Sequence, residues 1–563
     1  MMGNQKALDH FNEMIEAYRK ALIVSMGYRV SDLDKPLVGI IHGYNQMSPG
    51  NFNIKPVVES AKIAIAANGG IPVEIAIPGV CGSMSGGADP FRFNFPYRDA
   101  AAALAELLIS INRLDACMFI PNCDNVVPAY LIAAVRVNVP SVFITGGYML
   151  PGCYQGRLIT AFDVPKIYAS MVQEKGEMNS DEIAKVIESA CPSAGACPEI
   201  GTANSMAVVT EALGLSLPGN ASLASGEAQL IRMARDAGEK LMEEWRTNTR
   251  AKDIINKNAI EDAARVVLAV GGSPNVLLHL LALSEEAGAG VRLEDWDSLS
   301  RETPLLCRIK PNHPTYTMVD FGKAGGVYRL MGEMINILKP DRPTVMGITL
   351  REVIDKHLAL GRNYQDSDVI TGMKNPVRAD GGLMVLSGNL APEGAVVKVS
   401  AVSKSMWKFS GRVKVFDSEV EAAQALFAGK VAAGQVVVVR YEGPRGAPGA
   451  REVMLLMHAV VGMGLMEKIA VITDGRFSGT NLGLAVGHVC PEAMAGGPIG
   501  LLQDGDEVLI DLEYRLLEAD LSEEELMARK AAWVPPQPKA ESGLLLDWSI
   551  RGGSLAKGGI LGR

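Results

Sequence analysis

The 563-residue sequence lacks any run of about 18 uncharged apolar residues, the length that a membrane-spanning helix requires. Its first 28 residues mix acidic and basic side chains with apolar ones at helical spacing, which a secretory signal does not do. Hydrophobic residues are 48% of the chain and charged residues 21%, proportions that exclude a disordered protein. We therefore expect a folded, cytoplasmic protein with no segment in a membrane.

Clusters of basic side chains with interleaved aromatics are also missing, and the formal net charge is −9. Proteins that bind nucleic acid present a basic surface to the phosphates. The composition therefore excludes nucleic acid as an expected partner.

Cysteine is scarce, with eight residues in the chain, and no two of them form a CxxC pair. A sparse set in a chain without a secretion signal favours reduced thiols or metal ligands over disulfides. Spacing alone does not identify which of these thiols would bind a metal.

Before about residue 365, short apolar segments alternate with amphipathic segments. The apolar segments have the length of buried strands, and the amphipathic ones have the spacing of helices. The strand patterns lie at 36–43, 115–120 and 141–144, and the helical patterns at 55–68, 101–112 and 130–137. This alternation predicts a parallel sheet with flanking helices, followed by a mainly helical stretch over 205–341.

After about residue 360 the sequence changes to short β-branched runs separated by glycines, as at 382–386, 395–399, 411–416 and 435–440. Such runs predict a second, strand-rich domain resembling a β-barrel. We place the boundary near residue 365. The predicted fold is thus α/β, with an N-terminal domain at 1–365 and a C-terminal domain at 366–563.

The first candidate site is the loop at 122–128, which follows the predicted strand at 115–120. Pro128 suits the first turn of the next helix, so Cys123 and Asp124 should lie at a carboxyl strand end beside a helix amino terminus. That position favours an anionic ligand or a metal centre. The alternative is a structural turn with a buried thiol and an aspartate near the helix N-cap.

A second loop, at 197–206, has a similar arrangement. Cys197 precedes Thr202 and Asn204, which are good N-cap residues for a helix that ends before Gly214. The positive end of that helix would favour the thiolate of Cys197, which suits a soft metal. Cys191 lacks such a context and is predicted to be structural.

Further motifs occur in order along nearly the whole chain. They lie at 145–147, 202–206, 210–215, 271–280, 381–391, 440–444, 472–479 and 487–493. Together with the two cysteine loops, these motifs resemble the dihydroxy-acid dehydratase family, which also contains sugar-acid and 6-phosphogluconate dehydratases.

The resemblance implies a lyase that removes water from a 2,3-dihydroxy carboxylate to give a 2-keto acid. In this family, cysteine thiolates hold an iron–sulfur cluster whose open iron acts as a Lewis acid on the leaving C3 hydroxyl. A magnesium ion binds the carboxylate and the C2 hydroxyl, and a serine base removes the C2 proton. Family members generally form homodimers with the site between the two domains, so the same is expected here.

Position by position, Cys123 and Cys197 match two of the family's cluster cysteines. The first cluster cysteine of many members falls at Gly50, although some members also have glycine there. Cys81 and Cys153 are candidates to replace it.

The magnesium site departs further from the family pattern. Asp124 and Glu452 match acidic metal positions, but the family's carbamylated lysine is replaced by Asn125, which cannot be carbamylated. The remaining acidic ligand is expected near 81–83, where no carboxylate stands, and Asp89 is the nearest one. Because Mg²⁺ prefers an octahedron of hard oxygens, losing two anionic ligands should weaken its binding.

The family's serine base matches Cys490. Pro491 fits the first position of a helix, which would put Cys490 at the N-cap, where the helix dipole lowers the pKa of a thiol. A thiolate there would act as a base or as a nucleophile, and these are different enzymes. The alternative is a neutral buried cysteine.

The segment 474–479 follows a predicted strand and offers Arg476, Ser478 and Gly479 for binding a substrate carboxylate. The alternative is a tight glycine turn with Arg476 in a structural ion pair. His279, on an apolar helical face, is predicted to be a satisfied core histidine.

Three hypotheses follow. The first is a hydro-lyase that acts on a small hydroxylated carboxylic acid with an iron–sulfur Lewis acid. The second is an enzyme that uses Cys490 in a different elimination or rearrangement, without a complete metal site. The third is a catalytically silent relative that serves as a binding partner.

Overall fold

The apolar segments before residue 145 form one parallel sheet in the computed structural model. Its strands are β1 (Leu37–His42), β2 (Ile71–Ala76), β3 (Ala116–Ile120) and β4 (Ser141–Phe143), in the order β2-β1-β3-β4. Strands β1 and β3 are buried almost throughout, which explains why they are continuous apolar runs. In the register, His42 pairs with both Ala76 and Ile120, so these three strands end level at one edge.

Helices cover this sheet and continue beyond it. The structure describes residues 2–86, 89–175, 180–360 and 368–562. Around the sheet lie α1 (Met2–Ser25), α2 (Lys55–Ala67), α3 (Pro96–Asn112) and α4 (Val126–Val137), and after it come the hairpin strands β5 (Gly152–Tyr154) and β6 (Arg157–Ile159) with α5 (Asp163–Lys175) and α6 (Ser180–Ala190). The stretch that was predicted to be helical contains α7 (Thr202–Leu213), α8 (Ala228–Thr247), α9 (Ala251–Ile254), α10 (Lys257–Val270), α11 (Pro274–Ala287), α12 (Leu293–Glu302), α13 (Met318–Lys323), α14 (Gly326–Glu333) and α15 (Leu350–Ala359).

The β-branched runs of the later sequence close into a barrel. Its strands are β7 (Met384–Gly388), β8 (Ala391–Val397), β9 (Lys408–Phe416), β10 (Gln435–Val439), β11 (Ala470–Thr473), β12 (Ala485–Cys490), β13 (Glu507–Asp511) and β14 (Leu516–Ala519), in the closed order β10-β11-β12-β8-β7-β14-β13-β9. Among the described residues, this part of the chain also contains four α-helices, of which α19 packs against α3: α16 (Glu419–Phe427), α17 (Leu455–Gly462), α18 (Glu523–Ala532) and α19 (Gly543–Arg551). Closure leaves no free strand edge, and the predicted α/β fold with a barrel-like second part is confirmed.

Alternate residues of the barrel strands face different cores because side chains in a strand alternate in direction. In β10, Val436 and Val438 belong to the barrel interior, whereas Val437 and Val439 pack with residues of the outer helices α16 and α17. The barrel wall is therefore apolar on both faces here, which explains the unbroken valine run.

Residues 558–559, late in the chain, contact helix α3, which packs beside the sheet. Both terminal nitrogens of buried Arg98 in α3 donate to backbone carbonyls of Gly558 and Gly559 (2.9 and 2.7 Å). The division of the chain at residue 365 stays a prediction, because 361–367 lie outside the described residues. Among the residues that are described, no helix combines the length and apolar character needed to cross a bilayer.

Candidate active site

Three loops meet at one edge of the sheet because its parallel strands end there together. Gly50 lies in the loop after β1, Cys81 in the loop after β2 and Cys123 in the loop after β3. Gly50 packs directly on Cys123: a Cβ atom at position 50 would lie 3.1 Å from the Cβ and 3.4 Å from the sulfur of Cys123. The thiols of Cys81 and Cys123 lie close enough to interact directly.

Cys197 reaches the same edge through its neighbours in the chain. The Gly195 amide donates to the Pro49 carbonyl (3.0 Å), and the Ala196 amide donates to the Gly147 carbonyl (3.0 Å). These bonds join the Cys197 loop to the loops after β1 and β4. The structure therefore brings the two predicted cysteine loops together.

One small cavity, of about 50 Å³, takes in these thiols and groups from the barrel. The side chains that matter for chemistry in its lining are Cys81, Cys123, Cys197, Asp124, Glu452, Ser478 and Thr480. Residues 201–204, at the start of α7, also line the cavity.

The protonation of the thiols follows from their contacts and burial. The interaction between the two thiols lowers the pKa of Cys81 and, together with burial, raises that of Cys123 well above its usual range. Burial also raises the pKa of Cys197 well above its usual range. The thiolate predicted at Cys197 is not favoured in the protein alone, because burial disfavours the charged form of the sulfur.

Asp124 lies among buried polar atoms that have no partner in the described part of the chain. Its Oδ1 is 4.0 Å from Nε2 of His279, and both ring nitrogens of His279 and both amide atoms of Asn125 lack hydrogen bonds. Burial raises the pKa of Asp124, and the positive charge of Arg476 opposes this. His279 is buried as predicted, but it is not satisfied.

Glu452 and Arg476 come from the barrel, in the segments that follow β10 and β11. The two residues are paired along the backbone, and Nη1 of Arg476 lies 3.3 Å from Oε2 of Glu452. Burial raises the pKa of Glu452 to about 7, again with Arg476 opposing. Because Arg476 also interacts electrostatically with Asp124, it compensates both carboxylates. Arg476 thus forms a buried ion pair with Glu452, as the alternative to substrate binding predicted.

Ser478 lines the cavity just after β11. Its hydroxyl interacts with Glu452 and lies 2.9 Å from the hydroxyl of Thr480. Gly479, between them, approaches Ser273 so closely that a Cβ atom would lie 2.5 Å from that of Ser273. Glycine is needed here for packing, and Ser478 and Thr480 are the side chains of this turn that line the cavity.

The structure corrects the prediction for Cys490. This residue is the last of β12, and the short 3-10 helix that follows begins only at Ala493, so the thiol is not at a helix N-cap. Burial raises the pKa of Cys490 to about 12, and Sγ accepts a hydrogen bond from Ser554 (3.7 Å). Cys490 lines a second cavity, whereas Ser478 lines the cavity that holds the three thiols.

Models of known protein families match both parts of the chain. The dihydroxy-acid/6-phosphogluconate dehydratase N-terminal model matches residues 35–353, and the C-terminal model of the same name matches residues 368–558. The chain belongs to this family. It is therefore a dehydratase, that is, a hydro-lyase.

Curated relatives of this dehydratase extend over nearly all of it. Dihydroxy-acid dehydratases of Aquifex aeolicus and Agathobacter rectalis are each 40% identical to it, over 549 and 553 residues, and the match covers 97% of both chains in each pair. Dihydroxy-acid dehydratase 1 of Methanosarcina acetivorans is 38% identical over 548 residues, which is 97% of this chain and 98% of its own. The family resemblance that the motifs predicted is confirmed.

The family's two inorganic groups fit the donors of this dehydratase differently. Three thiols around one cavity suit an iron–sulfur cluster, whose irons take cysteine thiolates. Magnesium prefers several hard oxygens, but Asn125 stands at the lysine position and Arg476 already compensates Asp124 and Glu452. Among the described residues, no three His, Cys, Asp or Glu side chains are arranged to hold a single ion. The site fits a cluster and does not fit magnesium.

The other carboxylate considered for magnesium does not improve the fit. Asp89 pairs with Arg92 (2.7 Å), and its side chain is 74% exposed. It lies in a short 3-10 helix, Asp89–Phe93, outside the lining of the cavity as far as the described residues show.

Several side chains that line this dehydratase's cavity were not predicted from the sequence, among them Thr480 and Asn94. Thr480 had a usable signal, because it stands two positions after Ser478 at the same strand end. Asn94, which lines the cavity and interacts with Asp124, had none. Its position depends on how the loop after β2 folds back over the sheet edge.

Proposed function

We propose that this dehydratase eliminates water from a small carboxylic acid that carries hydroxyl groups on adjacent carbons, and that Cys123 and Cys197 hold an iron–sulfur cluster for this reaction. The observation that carries the proposal is the single cavity that both thiols and Ser478 line. A cluster bound there would supply a Lewis acid for the leaving hydroxyl.

Ser478 is proposed as the base in place of Cys490. Its hydroxyl lines the cavity and interacts with the Glu452 carboxylate, so Ser478 can pass its own proton to Glu452 as it takes the proton from C2 of the acid. The electron pair left at C2 forms the double bond to C3 as the C3 hydroxyl leaves, and the hydroxyl takes up the proton from Glu452 to depart as water. The resulting enol then gains a proton at C3 to give the 2-keto acid.

The substrate carboxylate is proposed to bind at the start of α7. Gly201, Thr202 and Ala203 line the cavity at the amino terminus of α7, and the first N–H groups of a helix together with its dipole favour an anion. A network fixes this wall: Asn275 donates to the Thr202 hydroxyl (3.1 Å) and to Glu452 (3.2 Å). In this proposal Arg476 remains in its ion pair with Glu452 and does not bind the substrate carboxylate.

A turnover assay tests the proposed reaction. The protein, purified without oxygen, is incubated with a set of short-chain 2,3-dihydroxy carboxylates, and 2-keto acid is trapped and quantified. We expect at least one of these acids to be converted, and the exposed-thiol variant Cys153→Ala to convert it at the same rate. Failure to convert any of them, by protein that carries a full cluster, would favour the catalytically silent alternative.

We further propose that the protein works in the cytoplasm as a homodimer. Five exposed apolar side chains of α1 form a stripe, at alternating intervals of three and four residues: Leu8, Phe11, Ile15, Tyr18 and Leu22. A stripe of this spacing suits the same helix of a second copy. Sedimentation should give a dimer for the wild type and a lighter species for Phe11→Ser/Tyr18→Ser; a wild-type monomer would contradict the proposal.

A further inference from the structure

Three of the eight cysteines line the candidate active-site cavity. Of the other five, two are buried in the core, two are exposed and one lines the second cavity: Cys117 and Cys307, Cys153 and Cys191, and Cys490. The thiols within reach of a group in the cavity are therefore Cys81, Cys123 and Cys197.

Gly50 leaves this set one thiol short of the family pattern. A Cβ atom at position 50 would lie 3.4 Å from the sulfur of Cys123, so a side chain there would enter the space around that sulfur. Glycine offers no donor, and a third thiolate would have to come from another loop at the same edge.

Cys81 is on such a loop. It follows β2, whose carboxyl end is level with that of β1, and its side chain interacts with the Cys123 thiol. Cys197 is close enough to interact electrostatically with both Cys81 and Cys123. Each of the three sulfurs thus has the other two as neighbours.

The backbone around Cys81 suits a sulfur that carries negative charge. Cys81 immediately precedes the 3-10 helix Gly82–Ser85, and the backbone N–H groups of Ser83 and Met84 lie close enough to interact with its sulfur. Hydrogen bonds to cysteine sulfurs are one of the ways in which proteins stabilise and tune iron–sulfur clusters. Cys81 therefore lies near the other two thiols and also has backbone surroundings that suit a cluster ligand.

We propose that Cys81 is the third thiolate ligand of the cluster and replaces the thiol that Gly50 lacks. This inference rests on the proposed function, because it needs the cluster that Cys123 and Cys197 are proposed to hold. Each thiol releases its proton to solvent when it binds iron. Three protein thiolates leave a coordination position free for a substrate hydroxyl.

The variant Cys81→Ser tests the proposal. Iron and acid-labile sulfide are measured in the full-length protein after anaerobic purification, together with the electron paramagnetic resonance spectrum of the reduced sample. We expect at least a twofold loss of iron and sulfide and a changed spectrum, with Cys153→Ser unchanged. Wild-type contents and spectrum in a folded Cys81→Ser protein would overturn the role of Cys81 and leave the proposed function standing.

Alkylation of the unmodified sequence gives a second readout that does not depend on how a variant folds. Iodoacetamide is applied to the clustered protein and to the same protein after chelation, and the peptide with Cys81 is quantified. Cys81 should be protected only in the clustered sample, while exposed Cys153 is labelled in both. Equal labelling of Cys81 in the two samples would overturn the proposal.

A rescue variant separates a missing ligand from a general disturbance. Gly50→Cys/Cys81→Ser returns a thiol to the position beside Cys123, and we expect it to recover the iron and sulfide that Cys81→Ser loses. No recovery in a folded double variant would show that the loss did not come from a missing ligand. Absence of iron and sulfide from the wild type would overturn the proposed function as well.

Discussion

Gly50 lies against Cys123 so closely that a Cβ atom on the glycine would stand 3.1 Å from the Cβ of the cysteine. The loop after β1 therefore brings its backbone, without a side chain, to the place where the Cys123 sulfur stands. Cys81, from the loop after β2, meets the same sulfur from another direction. Three thiols, those of Cys81, Cys123 and Cys197, line the cavity at this sheet edge.

Replacement of Ser478 should remove catalysis with little effect on the cluster. In Ser478→Ala the hydroxyl that lines the cavity beside Glu452 is lost, and a positioned proton-transfer group typically contributes roughly 10²–10⁴-fold. We expect kcat to fall in this range. The measurement is steady-state kinetics with iron content determined on the same samples.

The control for Ser478→Ala is Cys490→Ala, which removes the residue that the sequence predicted as the base. Cys490 lines the second cavity and is protonated at neutral pH, because burial raises its pKa to about 12. Its removal should leave kcat within about threefold of the wild type, since a proton-transfer group contributes far more. A large loss in Cys490→Ala with an active Ser478→Ala would restore the prediction made from the sequence.

The buried ion pair between Arg476 and Glu452 should be a large contributor to stability. Arg476→Met leaves the Glu452 carboxyl in the interior without its cation, and breaking a buried pair in this way costs about 3–5 kcal/mol. Urea unfolding of Arg476→Met, Glu452→Gln and the double variant measures the coupling. The double variant should be more stable than the sum of the single losses implies; simple additivity would contradict the interaction.

Lys398 should make stability depend on pH. It is buried with Nζ donating to the Gly479 carbonyl (2.5 Å), and burial lowers its pKa from 10.5 to about 7. Between these two values the unfolded chain binds more protons than the folded one, so the free energy of unfolding rises with pH through this window. Below about pH 7 the charged form is buried and its full cost is present.

Lys398→Met removes this titration. Between pH 6 and pH 9 the free energy of unfolding of the wild type should rise by about 3 kcal/mol more than that of the variant, measured by urea unfolding. Lys430→Met, at an exposed position, is the control. A difference between Lys398→Met and the wild type that stays constant over this range would show that Lys398 remains charged in the folded protein.

The strands that sequence predicted best are those buried on both faces. β1 and β3 lie within two residues of their predicted limits because a fully buried strand is a continuous apolar run. β2 was missed because Pro72 interrupts its pattern and most of its residues are partly exposed. Proline is tolerated there because β2 is the edge strand of the sheet.

From the sequence, the position of a site residue could be predicted only when the residue directly follows a recognisable strand. Cys123 and Asp124 follow β3 directly, so their place at the sheet edge was readable. Cys490 was wrongly predicted to be a helix N-cap because a proline such as Pro491 suits both the start of a helix and the end of a strand. The 3-10 helix that follows has three residues, Ala493–Ala495, and ends at Gly496-Gly497. Arg476 could not be assigned because its ion pair depends on the fold of two distant loops.

Metal analysis of anaerobically purified protein shows whether the thiols at the sheet edge hold an iron–sulfur cluster. The wild type should contain iron and acid-labile sulfide in equal amounts, at about one cluster per chain, with visible absorption to match. Cys123→Ala and Cys197→Ala should each lose both elements. A colourless wild type that contains neither, yet produces 2-keto acid, would contradict the account.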